Sequence, residues 1–100
     1  MSRYRLTPRA LKDLDAIADY TLTTWGEFQA EKCLAEIEKC FERLGAHTEL
    51  GRARNDIGEG YRSYRQGAHL VFYIVDGEIV TIIGIPHMAM DVAVYFQPPN

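Results

Sequence analysis

The chain has 100 residues, of which 47% are hydrophobic and 25% are charged, and its formal net charge is -3 at pH 7. This length and composition predict a single globular domain over residues 1–100 and exclude a disordered chain. Proteins that bind nucleic acid usually carry a basic excess, because contacts to phosphate supply much of their affinity. The acidic balance therefore argues against direct nucleic-acid binding.

Neither a leader segment nor a membrane span is predicted. No apolar stretch of signal-peptide length follows Met1–Leu6, and no segment approaches the roughly 18 continuous apolar residues that a span needs. Cys33 and Cys40 lie seven residues apart in a predicted helix, so their Cα atoms are about 10 Å apart at 1.5 Å per residue. A disulfide needs less than about 7 Å. Two unpaired thiols and no membrane contact predict a cytoplasmic protein.

The first half of the chain predicts a short strand and two helices. Arg3–Thr7 alternates and is rich in strand-forming residues. The Thr-Pro pair at positions 7 and 8 can cap and start a helix, and apolar residues at helical spacing predict this helix over 8–24. Its solvent-exposed face is expected to carry Asp13, Asp15 and Asp19. Trp25-Gly26 ends it, and a second amphipathic helix is predicted over 27–44. The short connection between the helices predicts an αα-hairpin.

The second half predicts a loop followed by a β-meander. Residues 46–60 are polar, aperiodic and punctuated by glycine. Strands are predicted over 61–65, 68–75 and 79–85, with a strong hairpin signal at Asp76-Gly77. Pro86 ends the last strand, and Pro98-Pro99 predicts a frayed tail. The simplest arrangement is an α+β fold in which the two-helix hairpin packs on a small antiparallel sheet.

One stretch of fourteen residues, which covers part of the loop and the first meander strand, contains four arginines: Arg52, Arg54, Arg62 and Arg65. The same stretch holds only two acids. One interpretation is a solvated surface with local ion pairs, each worth less than about 1 kcal/mol. Another is a binding surface for an acidic partner, since arginine binds carboxylates through two parallel hydrogen bonds. A nucleic-acid contact is the least favoured.

Neither a metal site nor an enzyme active site is indicated by the remaining polar residues. The three histidines are scattered, which is not the spacing of a zinc site, so no metal and no cofactor are expected. His69 and Tyr73 share one strand face and could form an acid/base cluster with His87 and Tyr95. Structural roles for these side chains are favoured, and no nucleophile elbow, phosphate loop or dinucleotide fingerprint is present. We therefore assign no catalytic residue.

An ordered set of residues along nearly the whole chain resembles the ParE toxins of the ParE/RelE superfamily of bacterial toxin–antitoxin systems. The set consists of Tyr4–Thr7, Ala10, Asp13-Leu14, Ile17, Tyr20-Thr21, Trp25-Gly26, Ala30, Phe41, Gly51-Arg52, Arg54, Asp56-Ile57, Gly60–Ser63, His69, Val71–Tyr73 and His87–Asp91. Pro86 before the final motif departs from the family pattern. It leaves the course of the last strand open.

The resemblance implies a toxin that inhibits DNA gyrase by binding it, rather than by catalysis. A co-encoded ParD-like antitoxin would neutralise it in a hetero-oligomeric complex. The antitoxin would occupy a groove that borders the helix hairpin and the sheet. The expected antitoxin contacts are Arg52, Arg54, Arg62, Arg65 and Tyr73. The expected target contacts are His87, Met88, Met90 and Asp91. The two methionines suit an adaptable binding surface and equally a core-filling role.

Two alternatives stay open. A RelE-like relative would be a ribosome-dependent messenger-RNA endonuclease. Its candidate residues here would be Arg62, Arg65, His69, Tyr73 and His87. The acidic net charge argues against it, because a nuclease that docks on the ribosome needs a basic surface. The chain could also be an inactive relative that retains only antitoxin binding.

Overall fold

Five strands form one mixed sheet, and two long helices pack on one of its faces. The computed structural model describes residues 3–97. Its elements are β1 (Tyr4–Leu6), α1 (Pro8–Trp25), α2 (Glu27–Ala46), β2 (Arg52–Ala53), β3 (Arg62–Gln66), β4 (His69–Asp76), β5 (Ile79–Gly84) and α3 (Val92–Tyr95). The strand order is β1-β5-β4-β3-β2. The predicted α+β fold, a helix hairpin on a small sheet, is confirmed.

The helix hairpin is defined by its caps. The Thr7 hydroxyl accepts a hydrogen bond from the Ala10 amide at 3.1 Å, and proline occupies the first turn of α1. Gly26 alone joins the two helices with a φ of 93°, a conformation that side chains with a Cβ rarely adopt. Its amide donates to the Leu22 carbonyl, and its carbonyl accepts from Ala30, both at 3.0 Å. The reversal between α1 and α2 is therefore a hydrogen-bonded corner rather than a loose loop.

The edges of the sheet differ from the antiparallel meander that the sequence predicts. Strands β3, β4 and β5 do pair antiparallel in chain order. Strand β1, however, pairs parallel with β5, with Tyr4 opposite Val80. Strand β2 lies in the segment expected to be a loop and pairs antiparallel with β3. A parallel pairing between two strands more than seventy residues apart leaves no local signal in the sequence. A hairpin turn does leave one, because its two central residues follow a recognisable pattern.

The core lies between the helices and one face of the sheet. It is formed by Ala10, Ile17, Ile37, Cys40, Phe41, Leu44, Val71, Tyr73, Val80, Ile82 and Ile85. Cys40 is buried and Cys33 half-buried, and both thiols are free. Burial raises the pKa of the Cys40 thiol to about 11. This cysteine therefore behaves as a small core hydrophobe.

The segment after β5 turns back and ends against the opposite face of the sheet. The Asp91 carboxylate caps the short helix α3 by accepting from the Ala93 and Val94 amides at 3.0 and 3.3 Å. Phe96 then packs edge-on against Phe72, with ring centroids 5.0 Å apart. A four-residue helix is too short to show a periodic pattern, and the sequence did not predict it. Pro98-Pro99 lies outside the described residues. Across residues 3–97, no helix has the length and apolar character needed to cross a bilayer.

Candidate protein-binding site

An open groove of about 410 Å³ runs between α1, the start of β4 and the segment after β5. It is lined by Asp13, Ala16, Ile17, Tyr20, Thr21, Ala68, His69, Ile85, Pro86, His87, Met90 and Tyr95. Most of this surface is apolar, and among residues 3–97 neither lysine nor arginine contributes to it. Tyr20 and Met90 are exposed at its rim, by 67% and 49%. The predicted border between helix hairpin and sheet therefore contains a recess that is open to a partner.

Two histidines form one wall of the groove. His69 and His87 pair through an isolated antiparallel bridge, and their ring centroids lie 5.3 Å apart at a near-perpendicular angle. The His87 Nδ1 atom accepts a hydrogen bond from the Ala89 amide at 3.0 Å, which holds the turn after Pro86. Burial, and next the neighbouring His87 charge, lower the pKa of His69 below its ordinary value. The lowered pKa favours the neutral form of His69, which suits contact with an apolar partner.

The opposite wall ties the C-terminal segment to α1. The Asp13 carboxylate accepts hydrogen bonds from the Tyr95 hydroxyl and from the Ile85 amide, the latter at 2.9 Å. Burial, and next the Asp13 hydrogen bond, raise the pKa of Tyr95. The Arg9 guanidinium stacks 3.8 Å from the Tyr95 ring centroid and donates to the Tyr95 carbonyl. This set of contacts determines where α3 lies.

Asp13 was expected on the solvent-exposed face of its helix, and that expectation is wrong. The residue is half-buried and faces β5 and Tyr95. A signal for this was present in the sequence, because Asp13 lies three residues after Ala10 and four before Ile17. Both of those are core residues, and helical spacing places all three on one face.

The acid/base candidates are only partly brought together. His69, His87 and Tyr95 all line the groove, whereas Tyr73 is fully buried in the core. The Tyr73 hydroxyl donates to the Thr48 carbonyl at 2.7 Å and accepts from the Gly51 amide at 2.8 Å. Tyr73 therefore supports the loop after α2 and presents no surface to a partner. A direct contact between Tyr73 and an antitoxin was expected. The burial of Tyr73 replaces that expectation with a role in supporting the loop.

The four arginines differ in burial and in the contacts they make. Arg54 pairs with Asp56 at 3.1 Å, lowers the pKa of that carboxyl, and lies over the Phe72 ring. Arg62 lies opposite Tyr73 in the strand pairing and donates to the Gly51 carbonyl. These two side chains are half-buried and hold the loop in place. Arg52 and Arg65 are exposed, so they are the members best placed to bind a partner.

The expected target contacts lie at the surface. Met88 and Met90 are 43% and 49% exposed, which excludes a core-filling role for either side chain. His87 and Met90 both line the groove. Asp91 is exposed and also caps α3, so it positions the segment as well as presenting a carboxylate. Within residues 3–97, no three His, Cys, Asp or Glu side chains are arranged to hold a metal ion.

Sequence comparison identifies the family. A family profile described as "ParE toxin of type II toxin-antitoxin system, parDE" matches residues 4–92. The chain belongs to the ParE toxin family. Among its ParE relatives, "Toxin ParE1" of Mycobacterium tuberculosis is 40% identical over 92 residues, covering 91% of this chain and 94% of that protein. "Toxin ParE1" of Caulobacter vibrioides is 37% identical over 91 residues, with the same coverage.

Solved structures share this fold. A structure of the "Chromosomal ParDE TA system from P. aeruginosa" superposes with a TM-score of 0.72 at 25% identity, covering 87% of this chain and 96% of that one. A "YoeB-YefM complex from Staphylococcus aureus" superposes with a TM-score of 0.59 at 17% identity, covering 87% and 97%. The second likeness shows a common fold alone. A further YoeB-YefM structure from the same organism, with the same TM-score and identity, is described as a heterotetrameric toxin-antitoxin complex.

Proposed function

We propose that this ParE toxin inhibits DNA gyrase by binding it, and that a ParD-like antitoxin neutralises it by occupying the groove beside α1. The observation that carries the proposal is the open apolar groove, whose rim includes residues expected to contact the target. Amphipathic helices bind grooves of this kind through apolar anchors spaced along one face. An inhibitor of gyrase acts in the cytoplasm, which is where we expect the hetero-oligomeric complex to form.

The shared rim gives neutralisation a physical basis. His87 and Met90 belong both to the groove and to the expected target surface. An antitoxin helix in the groove would cover them, so target and antitoxin would compete for the toxin. Inhibition of gyrase should therefore fall in proportion to the antitoxin added.

Two arginines form a second part of the toxin surface that binds the antitoxin. Arg52 and Arg65 are exposed near the β2–β3 edge of the sheet. Arg65 also donates from Nε to the Gly67 carbonyl at 3.1 Å, but it stays exposed. Both Arg52 and Arg65 can therefore bind carboxylates in the antitoxin segment that leaves the groove, whereas Arg54 and Arg62 are half-buried in internal contacts. We therefore assign direct pairing to the first two and support of the loop to the other two.

Calorimetric titration with the cognate antitoxin tests this surface. The double variant Arg52→Glu/Arg65→Glu should bind at least about tenfold more weakly, since each charge reversal converts attraction into repulsion. Lys32→Glu/Lys39→Glu is the matched control, because it makes the same change in net charge on exposed positions of α2. Equal affinity for both double variants and the parent would contradict the assignment.

A supercoiling assay with purified gyrase tests the target. The parent toxin should inhibit supercoiling or trap cleaved DNA, and stoichiometric antitoxin should restore activity. Growth arrest by the toxin with normal gyrase activity and normal replication would refute gyrase as the target. Absence of any growth arrest would instead favour an inactive relative.

One observation keeps a ribonuclease as the second candidate. His69, His87 and Tyr95 converge on the groove with Asp13, which is a set of groups capable of proton transfer. The net charge of -3 and the absence of lysine and arginine from the groove disfavour RNA there. Messenger RNA recovered after brief expression separates the two functions. Cleavage within ribosome-bound messages that is lost in His87→Ala would establish the ribonuclease.

A further inference from the structure

The corner of the helix hairpin carries an exposed apolar surface that the antitoxin groove does not include. Trp25 is 68% exposed, Phe28 81% and Leu22 50%. We call these three residues the hairpin tip. Beside it lies a crevice lined by Thr21, Trp25, Gln29 and Cys33. Large aromatic side chains are usually buried at least in part, and an exposed cluster of them marks an interaction surface.

Hydrogen bonds on Gly26 fix the backbone of this corner. Gly26 both ends α1 and begins α2, with hydrogen bonds of 3.0 Å on its amide and on its carbonyl. Trp25 and Phe28 are thereby attached to regular helix on either side of a one-residue connection. A surface that is already ordered loses less entropy on binding, which increases affinity.

The charge around the hairpin tip selects the kind of partner. Residues 19–32 contain three acids and one base, Lys32. The acids nearest the tip are Asp19, Glu27 and Glu31, and all three are exposed. An acidic rim repels nucleic acid and anionic membranes, and it attracts a basic protein surface with an apolar centre.

A second copy of the same chain does not fit as the occupant. Two tips brought together would place their acidic rims against each other. Three partly exposed side chains also supply only about 400 Å² of contact, if a buried aromatic residue contributes roughly 150–250 Å². A stable interface needs about 800 Å² per partner. The tip therefore suits one anchor region within a larger contact, and tryptophan is the residue most enriched at such anchors.

We propose that the hairpin tip is a docking site for the cellular target, and that it binds a basic, apolar protein surface of that target. This inference rests on the proposed function, in which the toxin acts by binding a protein. It adds a second contact region, distinct from the His87–Asp91 segment. Trp25 and Phe28 supply the anchors, and Glu27 and Glu31 guide the approach.

The test separates target binding from antitoxin binding. Trp25→Ala/Phe28→Ala should lose growth arrest on expression, while its affinity for the cognate antitoxin stays within about twofold of the parent. Leu50→Ala/Val75→Ala is the matched control, since it truncates two apolar residues that are 43% and 40% exposed elsewhere. Circular dichroism and the thermal midpoint check that each variant is folded. Full growth arrest by the tip variant, or a parallel loss of antitoxin affinity, overturns the proposal.

A charge variant tests the chemistry of the partner independently of packing. Glu27→Lys/Glu31→Lys should weaken binding to purified DNA gyrase by about tenfold or more at low salt, and the parent's affinity should fall as salt rises. Glu36→Lys/Glu42→Lys makes an equal change in net charge away from the tip. If the parent toxin does not bind gyrase, the target assignment fails, and the growth-arrest comparison still decides the role of the tip. Gyrase binding that is unchanged by the tip charges overturns the basic-partner assignment.

Discussion

Gly51 and Tyr73 are in direct contact, and the contact requires glycine at position 51. The Gly51 amide donates to the Tyr73 hydroxyl at 2.8 Å, and a Cβ on Gly51 would lie 2.5 Å from that oxygen and 2.6 Å from a ring carbon. Tyr73 is completely buried, so a displaced ring would have to push into packed neighbours. This pair connects the loop after α2 to the centre of the sheet.

Gly51→Ala should destabilise the fold by about 1–3 kcal/mol, which is typical of overpacking. The effect comes from the contact alone, since Gly51 does not have a positive φ. Urea denaturation measures it, with Glu49→Ala as a neighbouring exposed control. Stability equal to that of the control would show that the Tyr73 ring can shift.

Tyr73→Phe should cost about 1–3 kcal/mol, because it leaves the Gly51 amide and the Thr48 carbonyl without their partner. The shape of the core is otherwise kept. Antitoxin affinity measured on the folded variant should stay close to that of the parent. A large loss of affinity without a loss of stability would restore Tyr73 as a direct contact.

Asp13→Ala should release the C-terminal segment from α1. The carboxylate holds both Tyr95 and Ile85, and removing a charged partner from such hydrogen bonds costs about 1.5–3 kcal/mol. Hydrogen exchange should speed up over residues 85–97 and leave the helix hairpin unchanged. Asp15→Ala is the control, since that residue is exposed on the same helix. Equal exchange in both variants would argue against this anchor.

Stability should fall on acidification from pH 7 to pH 5, in part through His69. Its pKa in the folded state lies below the ordinary value of about 6.5, so the unfolded chain binds the proton first. Stability from this group is therefore complete above about pH 6.5 and declines as the pH falls toward the lowered pKa. His87, Asp13, Tyr20 and Tyr95 surround it on the groove.

Denaturation of His69→Asn at both pH values isolates this contribution. The variant should show a smaller loss of stability between pH 7 and pH 5 than the parent. His47→Asn removes an exposed histidine in the loop and serves as the control. The same pH dependence in all three proteins would rule out His69 as the titrating group.

The two thiols should differ in reactivity. Cys40 is 1% exposed, and burial raises its pKa to about 11, whereas Cys33 is half-buried beside Trp25. A thiol reagent at pH 8 should modify Cys33 first and reach Cys40 only as the protein unfolds, because the thiolate is the reacting form. Cys33→Ser should leave almost no rapid reaction. Rapid labelling of that variant would place Cys40 nearer to solvent than the structure does.

The sequence by itself predicted the helix hairpin, the three-strand meander and the family resemblance. Those features depend on local signals: helical spacing, the Thr-Pro start, the glycine corner and the two-residue turns. Such signals depend on residues that are close together in the chain, so they can be recognised before the fold is known. The family resemblance also drew on local motifs, and the comparison with ParE relatives confirmed it.

Contacts between distant parts of the chain were seen only in the folded structure. It paired β1 with β5 in parallel, buried Tyr73, and turned Asp13 toward Tyr95. It also assigned Arg54 and Arg62 to internal contacts and left Arg52 and Arg65 exposed. These outcomes depend on packing and burial between residues up to 82 positions apart. The free energy of such contacts belongs to the assembled fold. Of these outcomes, the burial of Asp13 had a sequence signal, its helical spacing with Ala10 and Ile17.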